Sequence, residues 1–136
     1  MDVAVQVGEE LTNTQFVELL RSGRPVHLQA CAIKGKVDLN YGRLPVHIVC
    51  EDCRFDSQFF AVEARFARSV SFARCQFKGG IDWRGAHVDG GLRLSGSYIA
   101  VAEPLTPAER WPASIIEPPD TIATRRTGPD ENRRSV

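Results

Sequence analysis

The chain has no surplus of either charge: across 136 residues, 17 Lys and Arg balance 17 Asp and Glu. It therefore lacks the net field that phosphate backbones or anionic bilayers attract, and neither nucleic acid nor a membrane is expected as a partner. No apolar run approaches the roughly 20 residues of a membrane-spanning helix. No signal peptide is expected, because Asp2, Glu9 and Glu10 interrupt the short apolar stretch near the start. Phosphate-loop and dinucleotide fingerprints are missing, since Gly79-Gly80 and Gly90-Gly91 do not precede a helix pattern. Histidine is scarce, and no carboxylate or nucleophile is placed by the pattern to form a triad with His27, His47 or His87. Adjacent carboxylates such as Glu51-Asp52 read as solvated rather than catalytic. The length supports one modest domain with a single core.

What the chain does have is a period. From residue 26 to residue 102 it repeats every 11 residues, seven times, without insertion or deletion, in units that begin at Val26, Val37, Ile48, Phe59, Val70, Ile81 and Leu92. Position one is always apolar. Position three is Leu28, Leu39, Cys50, Ala61, Phe72, Trp83 and Leu94. Position six is small: Cys31, Gly42, Cys53, Ala64, Cys75, Ala86 and Ser97. Position eight is Ile33, Leu44, Phe55, Phe66, Phe77, Val88 and Ile99. None of these 28 positions is charged, and all 17 charged residues of the stretch fall in the other 49, which is the signature of a core.

Apolar residues two apart flank one outward residue, as in a short extended segment. The longer gaps between the pairs are corners. Glycine gathers at the second corner (Gly35, Gly79, Gly80, Gly90, Gly91), where a positive φ costs least. Steps of five and six residues do not fit a helical period of 3.6. One unit is too short to close around a side-chain core, so two units, about 22 residues, make one four-sided coil. Residues 22 apart then stack about 4.8 Å from each other. The expected stacks are Ile33–Phe55–Phe77–Ile99, Leu44–Phe66–Val88 and Leu39–Ala61–Trp83. The fold class is an all-β solenoid.

The strings CAIKG, GRLPV, CRFDS, ARFAR, CQFKG, AHVDG and SYIAV resemble the motif of the pentapeptide-repeat family: a small residue, any residue, a large apolar residue and two more. The resemblance implies a short right-handed four-sided β-helix. Two departures stand out. The period is 11 rather than 10, and the Asp or Asn that the family often places before the large residue is replaced by Ala32, Arg43, Arg54, Arg65, Gln76, His87 and Tyr98. The family includes DNA mimics that bind topoisomerases. That role is not expected here, because mimicry needs a long acidic rod, whereas residues 26–102 carry ten basic and seven acidic side chains.

The flanks read as a segment 1–25 with a capping helix, a cap or contact segment 103–116, and a flexible polar tail 117–136 with Arg125, Arg126, Arg133 and Arg134. Thr12 with Gln15 forms a capping box for a helix ending near Arg21, and Phe16, Leu19 and Leu20 give it an apolar face to cover the lower end of the core. Thr106-Pro107-Ala108-Glu109 is a second helix start, after which Trp111, Ile115 and Ile116 close the upper end or meet another subunit.

Cys31, Cys53 and Cys75 form a column of buried thiols, with Cys50 in another column. The spacing fits packing, while metal, redox and disulfide roles stay open. No cofactor or metal is expected, and free thiols fit a cytoplasmic location. Two surface features stand out. Arg43, Arg65 and His87 stack on one face, where like charges repel and an anionic partner would relieve them. Val49, Phe60 and Val62 are apolar at outward positions and suggest a partner patch. The functional expectation is a non-enzymatic interaction or scaffold module that binds a protein partner or pairs with itself through a coil end. The alternative is a cysteine-dependent redox or other enzymatic role.

Overall fold

The computed structural model describes residues 3–101, 115–117 and 121–124. The chain winds as a β-solenoid whose short strands fall into four parallel sheets, one on each side of the coil. The first side holds β1 (Ala4–Val7), β3 (Val26–Gln29), β7 (Ile48–Glu51), β11 (Val70–Ala73), β15 (Leu92–Arg93) and β17 (Ile115–Glu117). The second holds β2 (Glu10–Thr12), β4 (Ala32–Lys34), β8 (Arg54–Phe55), β12 (Gln76–Phe77), β16 (Tyr98–Val101) and β18 (Thr121–Thr124). The third holds β5 (Val37–Asp38), β9 (Phe59–Phe60) and β13 (Ile81–Asp82). The fourth holds β6 (Arg43–Leu44), β10 (Arg65–Phe66) and β14 (His87–Val88).

The register advances 22 residues per coil, as in Val26↔Ile48, Ile48↔Val70 and Val70↔Leu92. Of the four apolar columns, every residue is buried except Gly42 and Ile81, which are half-buried. The expected stacks form. Phe55 and Phe77 lie parallel with ring centroids 4.7 Å apart. Ile33 and Ile99 continue that column below and above, and Leu44, Phe66 and Val88 pair in register. Burying a large apolar side chain stabilises by about 1.5–3 kcal/mol, so a continuous column of them outweighs any single surface contact.

The first corner holds a feature the sequence hid. Position five adopts a left-handed backbone in every unit: Ala30, Tyr41, Asp52, Glu63, Arg74, Gly85 and Gly96 all have φ between 55° and 71°. The reason is the ladder. Each of Ala30, Tyr41, Asp52, Glu63 and Arg74 turns the corner while its N–H donates to a carbonyl of the next coil, for example Ala30 to Glu51 at 2.9 Å. The second corner uses glycine as expected, with Gly35, Gly80 and Gly91 at positive φ.

Helix α1 (Asn13–Leu20) takes the place of the third and fourth sides in the first coil. The capping box is present: Thr12 Oγ1 accepts from the Gln15 N–H and Gln15 Oε1 accepts from the Thr12 N–H. Phe16 is fully buried and meets Phe55 and Phe59 edge-on at 5.4 and 6.3 Å. The helix therefore caps the lower end of the core.

Two boundaries change. The solenoid begins at Ala4 rather than Val26, because β1 and β2 pair with β3 and β4 in the same 22-residue register. Gln6 and Glu9 occupy two of the apolar columns there and masked the repeat. At the upper end, Ile115–Glu117 and Thr121–Thr124 are strands paired with β15 and β16, so Thr121–Thr124 is part of the sheet and not of a flexible tail. The step is 23 residues there, as in Tyr98↔Thr121. Trp111, the second helix start at Thr106, and the remainder of segments 103–116 and 117–136 lie outside the described residues.

Candidate functional site

The fourth side carries the candidate site. Its three strands set Arg43, Arg65 and His87 in strict register, each exposed and one coil above the last. The outward direction follows from Leu44, Phe66 and Val88, which occupy the next position along each strand and point into the core. A shallow groove of about 260 Å³ runs along this side, lined by Tyr41, Arg43, Glu63, Arg65, Gly85 and His87. Glu63 leans over Gly85, where a Cβ would meet its carboxylate at 2.4 Å, so a side chain at residue 85 would displace it.

Among the described residues, no carboxylate pairs with Arg43 or Arg65. The contrast with the second side is local. Arg54 fills the same slot in its unit, and its Nε donates to Asp56 two residues on, at 2.9 Å. In the Arg43 and Arg65 units that acceptor position is Pro45 and Ala67. Elsewhere Arg74 pairs with Asp52 of the coil below and Arg84 with Asp82. These pairs lower Asp52, through hydrogen bonding to Arg74, and Asp56, chiefly through hydrogen bonding to Lys34.

The apolar patch separates. Val49 sits on the first side between His27 and Ser71. Phe60 sits on the third side between Asp38 and Asp82, with Lys36 Nζ 5.8 Å from its ring. Val62 lies at the corner after Phe60, its N–H held by Asn40 Oδ1 at 2.8 Å. The first and third sides are a full side apart in either direction around the coil, so the three residues do not form one surface. All three are half-buried without any register shift around Phe59.

The thiols are free and buried. They also serve the backbone. Cys31, Cys53 and Cys75 each lie within hydrogen-bonding reach of the carbonyl two residues back, at 3.4–3.5 Å. Cys75 further donates to Cys50 O of the coil below, as Ser97 Oγ donates to Phe72 O at 2.6 Å. Burial pushes the Cys31 and Cys50 thiols up, and hydrogen bonding to Cys53 together with burial raises Cys75. A raised thiol is a weak nucleophile, which describes Cys31, Cys50 and Cys75, whereas hydrogen bonds from Cys50 and Cys75 shift Cys53 the other way, below the ordinary thiol value. Among the described residues, no group of three or more His, Cys, Asp or Glu side chains is arranged to hold a metal ion.

The stacking places two histidine contacts that the sequence reading missed. His27 Nε2 is 3.1 Å from Glu51 Oε1, and His47 Nδ1 is 2.8 Å from Ser69 Oγ. Ser69 lies 22 residues beyond His47, so the coil period itself was the signal. A hydroxyl beside an imidazole is the start of a nucleophile and base pair, but no carboxylate is within ion-pairing distance of His47 among the described residues. No helix among the described residues is long and apolar enough to cross a membrane. No family model, no curated protein and no solved structure matches this chain.

Proposed function

We propose that this protein is a non-catalytic interaction module of pentapeptide-repeat type, a rigid cytoplasmic scaffold that presents its fourth side to an anionic region of a protein partner. One observation carries the reading: Arg43 and Arg65 stand in register, one coil apart, and among the described residues no carboxylate pairs with either. The backbone ladder holds the two arginines on neighbouring strands about 4.8 Å apart, and like charges on directly paired residues repel. A partner's negative charge removes that repulsion and gains charge-assisted hydrogen bonds. The backbone on this face is already ordered, so little conformational entropy is lost on binding.

The test compares affinity capture by the native protein, by an Arg43→Glu/Arg65→Glu double variant and by Phe60→Asp. Partners should be retained by native protein and by Phe60→Asp, and lost with the double charge reversal. Recovery of the same proteins by all three would remove the fourth side from consideration. Tight topoisomerase inhibition would instead support a DNA-mimic role.

A further inference from the structure

We infer that the groove on the fourth side takes a phosphate monoester, presented on a phosphorylated side chain of the partner protein. This rests on the reading of that side as a binding surface. The argument is one of valence and shape. A carboxylate is planar and satisfies one guanidinium fork edge-on. Arg43 and Arg65 are two forks, stacked one coil apart, and among the described residues neither forms an ion pair with a carboxylate. A tetrahedral dianion has enough oxygens and enough charge to accept from both at once. His87 stands one coil further in the same register and supplies a third polar group.

The shape of the groove selects the source. It is shallow, and at about 260 Å³ it holds a head group without enclosing a larger molecule. A small phosphorylated metabolite would leave most of its body in water. A peptide crossing the side can lay its phosphate in the groove and its backbone against the flanking coils. A nucleic-acid backbone fits less well, because its monoanionic phosphates continue past the ladder, where Asp89, two residues beyond His87, adds negative charge. Glu63 opposes any anion, since its carboxylate lines the groove, and the dianion's advantage comes from the two arginines, which attract two charges more strongly than one.

The experiment is a titration of the full chain, followed by NMR of the arginine side-chain Nε–H signals. Three probes are used: phenyl phosphate, a blocked Gly-Gly-phosphoserine-Gly-Gly peptide, and the same peptide with glutamate in place of phosphoserine. The phosphopeptide is expected to bind saturably in the millimolar range and more tightly than phenyl phosphate. It should exceed the glutamate peptide by about tenfold, and Arg65→Ala should weaken it by about tenfold or more. Arg65→Lys should not restore affinity, because the fork is lost. Glu63→Gln should tighten binding, a result that a purely structural role for the arginines does not produce. Equal binding of both peptides with the same arginine dependence would overturn the phosphate inference while leaving the binding face intact. Phenyl phosphate binding as well as the phosphopeptide would overturn the peptide source. No arginine-dependent shift with any probe would overturn both this inference and the use of the face for anions.

Discussion

Position five is where single residues carry the most strain. Ala30, Tyr41, Asp52, Glu63 and Arg74 hold a left-handed backbone with a side chain attached, at a cost of about 1–2 kcal/mol each. Ala30 is exposed, and its N–H already donates to Glu51 O. Ala30→Gly should therefore raise stability by about 0.5–1 kcal/mol, after glycine's greater freedom in the unfolded chain is subtracted. Urea denaturation measures it, and a loss of stability would show that the corner is not strained. The requirement was not legible because five of the seven residues are not glycine. The second corner was legible because Gly35, Gly80 and Gly91 mark it. Charge at the residue scale gives a pH prediction. Asp56 accepts from Lys34 at 2.6 Å and Arg54 at 2.9 Å, which holds it below its ordinary value of 3.8. A carboxyl depressed in the folded state contributes fully above its unfolded value, and that contribution disappears as pH falls through the folded one. Stability should thus decline as pH drops below 3.8, and Asp56→Asn should flatten part of that decline. An unchanged acid profile in Asp56→Asn would mean that the pair contributes nothing.

At the scale of elements, the capping helix and the first two strands behaved differently under sequence reading. Helix α1 was readable because Thr12 and Gln15 announce its start and Gly23 its end, with φ 86° at Gly23. Strands β1 and β2 were not, since Gln6 and Glu9 stand where the columns are otherwise apolar. Only Ala4 and Leu11 keep the core pattern there. The helix matters because the bottom coil would otherwise expose Phe55 and Phe59. Phe16 fills that opening, so Phe16→Ala should cost about 3–5 kcal/mol by removing a buried ring and leaving a cavity. Thr12→Ala should cost about 1 kcal/mol through loss of the cap. Thermal or chemical unfolding checks both. A Phe16→Ala cost below that of Thr12→Ala would mean that the helix is an appendage rather than a lid.

For the whole molecule, everything follows from one coil per 22 residues. That period was legible because the core columns admit no charge, and it was enough to place Arg43, Arg65 and His87 together. It was not enough to build the apolar patch. Val49 and Phe60 are both outward by alternation, yet they belong to different sides, and alternation alone does not tell sides apart. The C-terminal coil escaped for a different reason: its strands return after 23 residues, so the fixed period passes over them. Disulfide trapping on the outer face tests the period most directly. Exposed neighbours one coil apart have Cα atoms about 4.8 Å from each other, inside the range of about 4.4–6.8 Å that a disulfide spans. Under mild oxidation, with the bond located by peptide mapping, an Arg43→Cys/Arg65→Cys protein should close an intramolecular disulfide. An Arg43→Cys/Arg54→Cys protein should not, because its two positions lie on the fourth and second sides. Closure of the second pair, or failure of the first, would contradict the coil and the proposed binding face together.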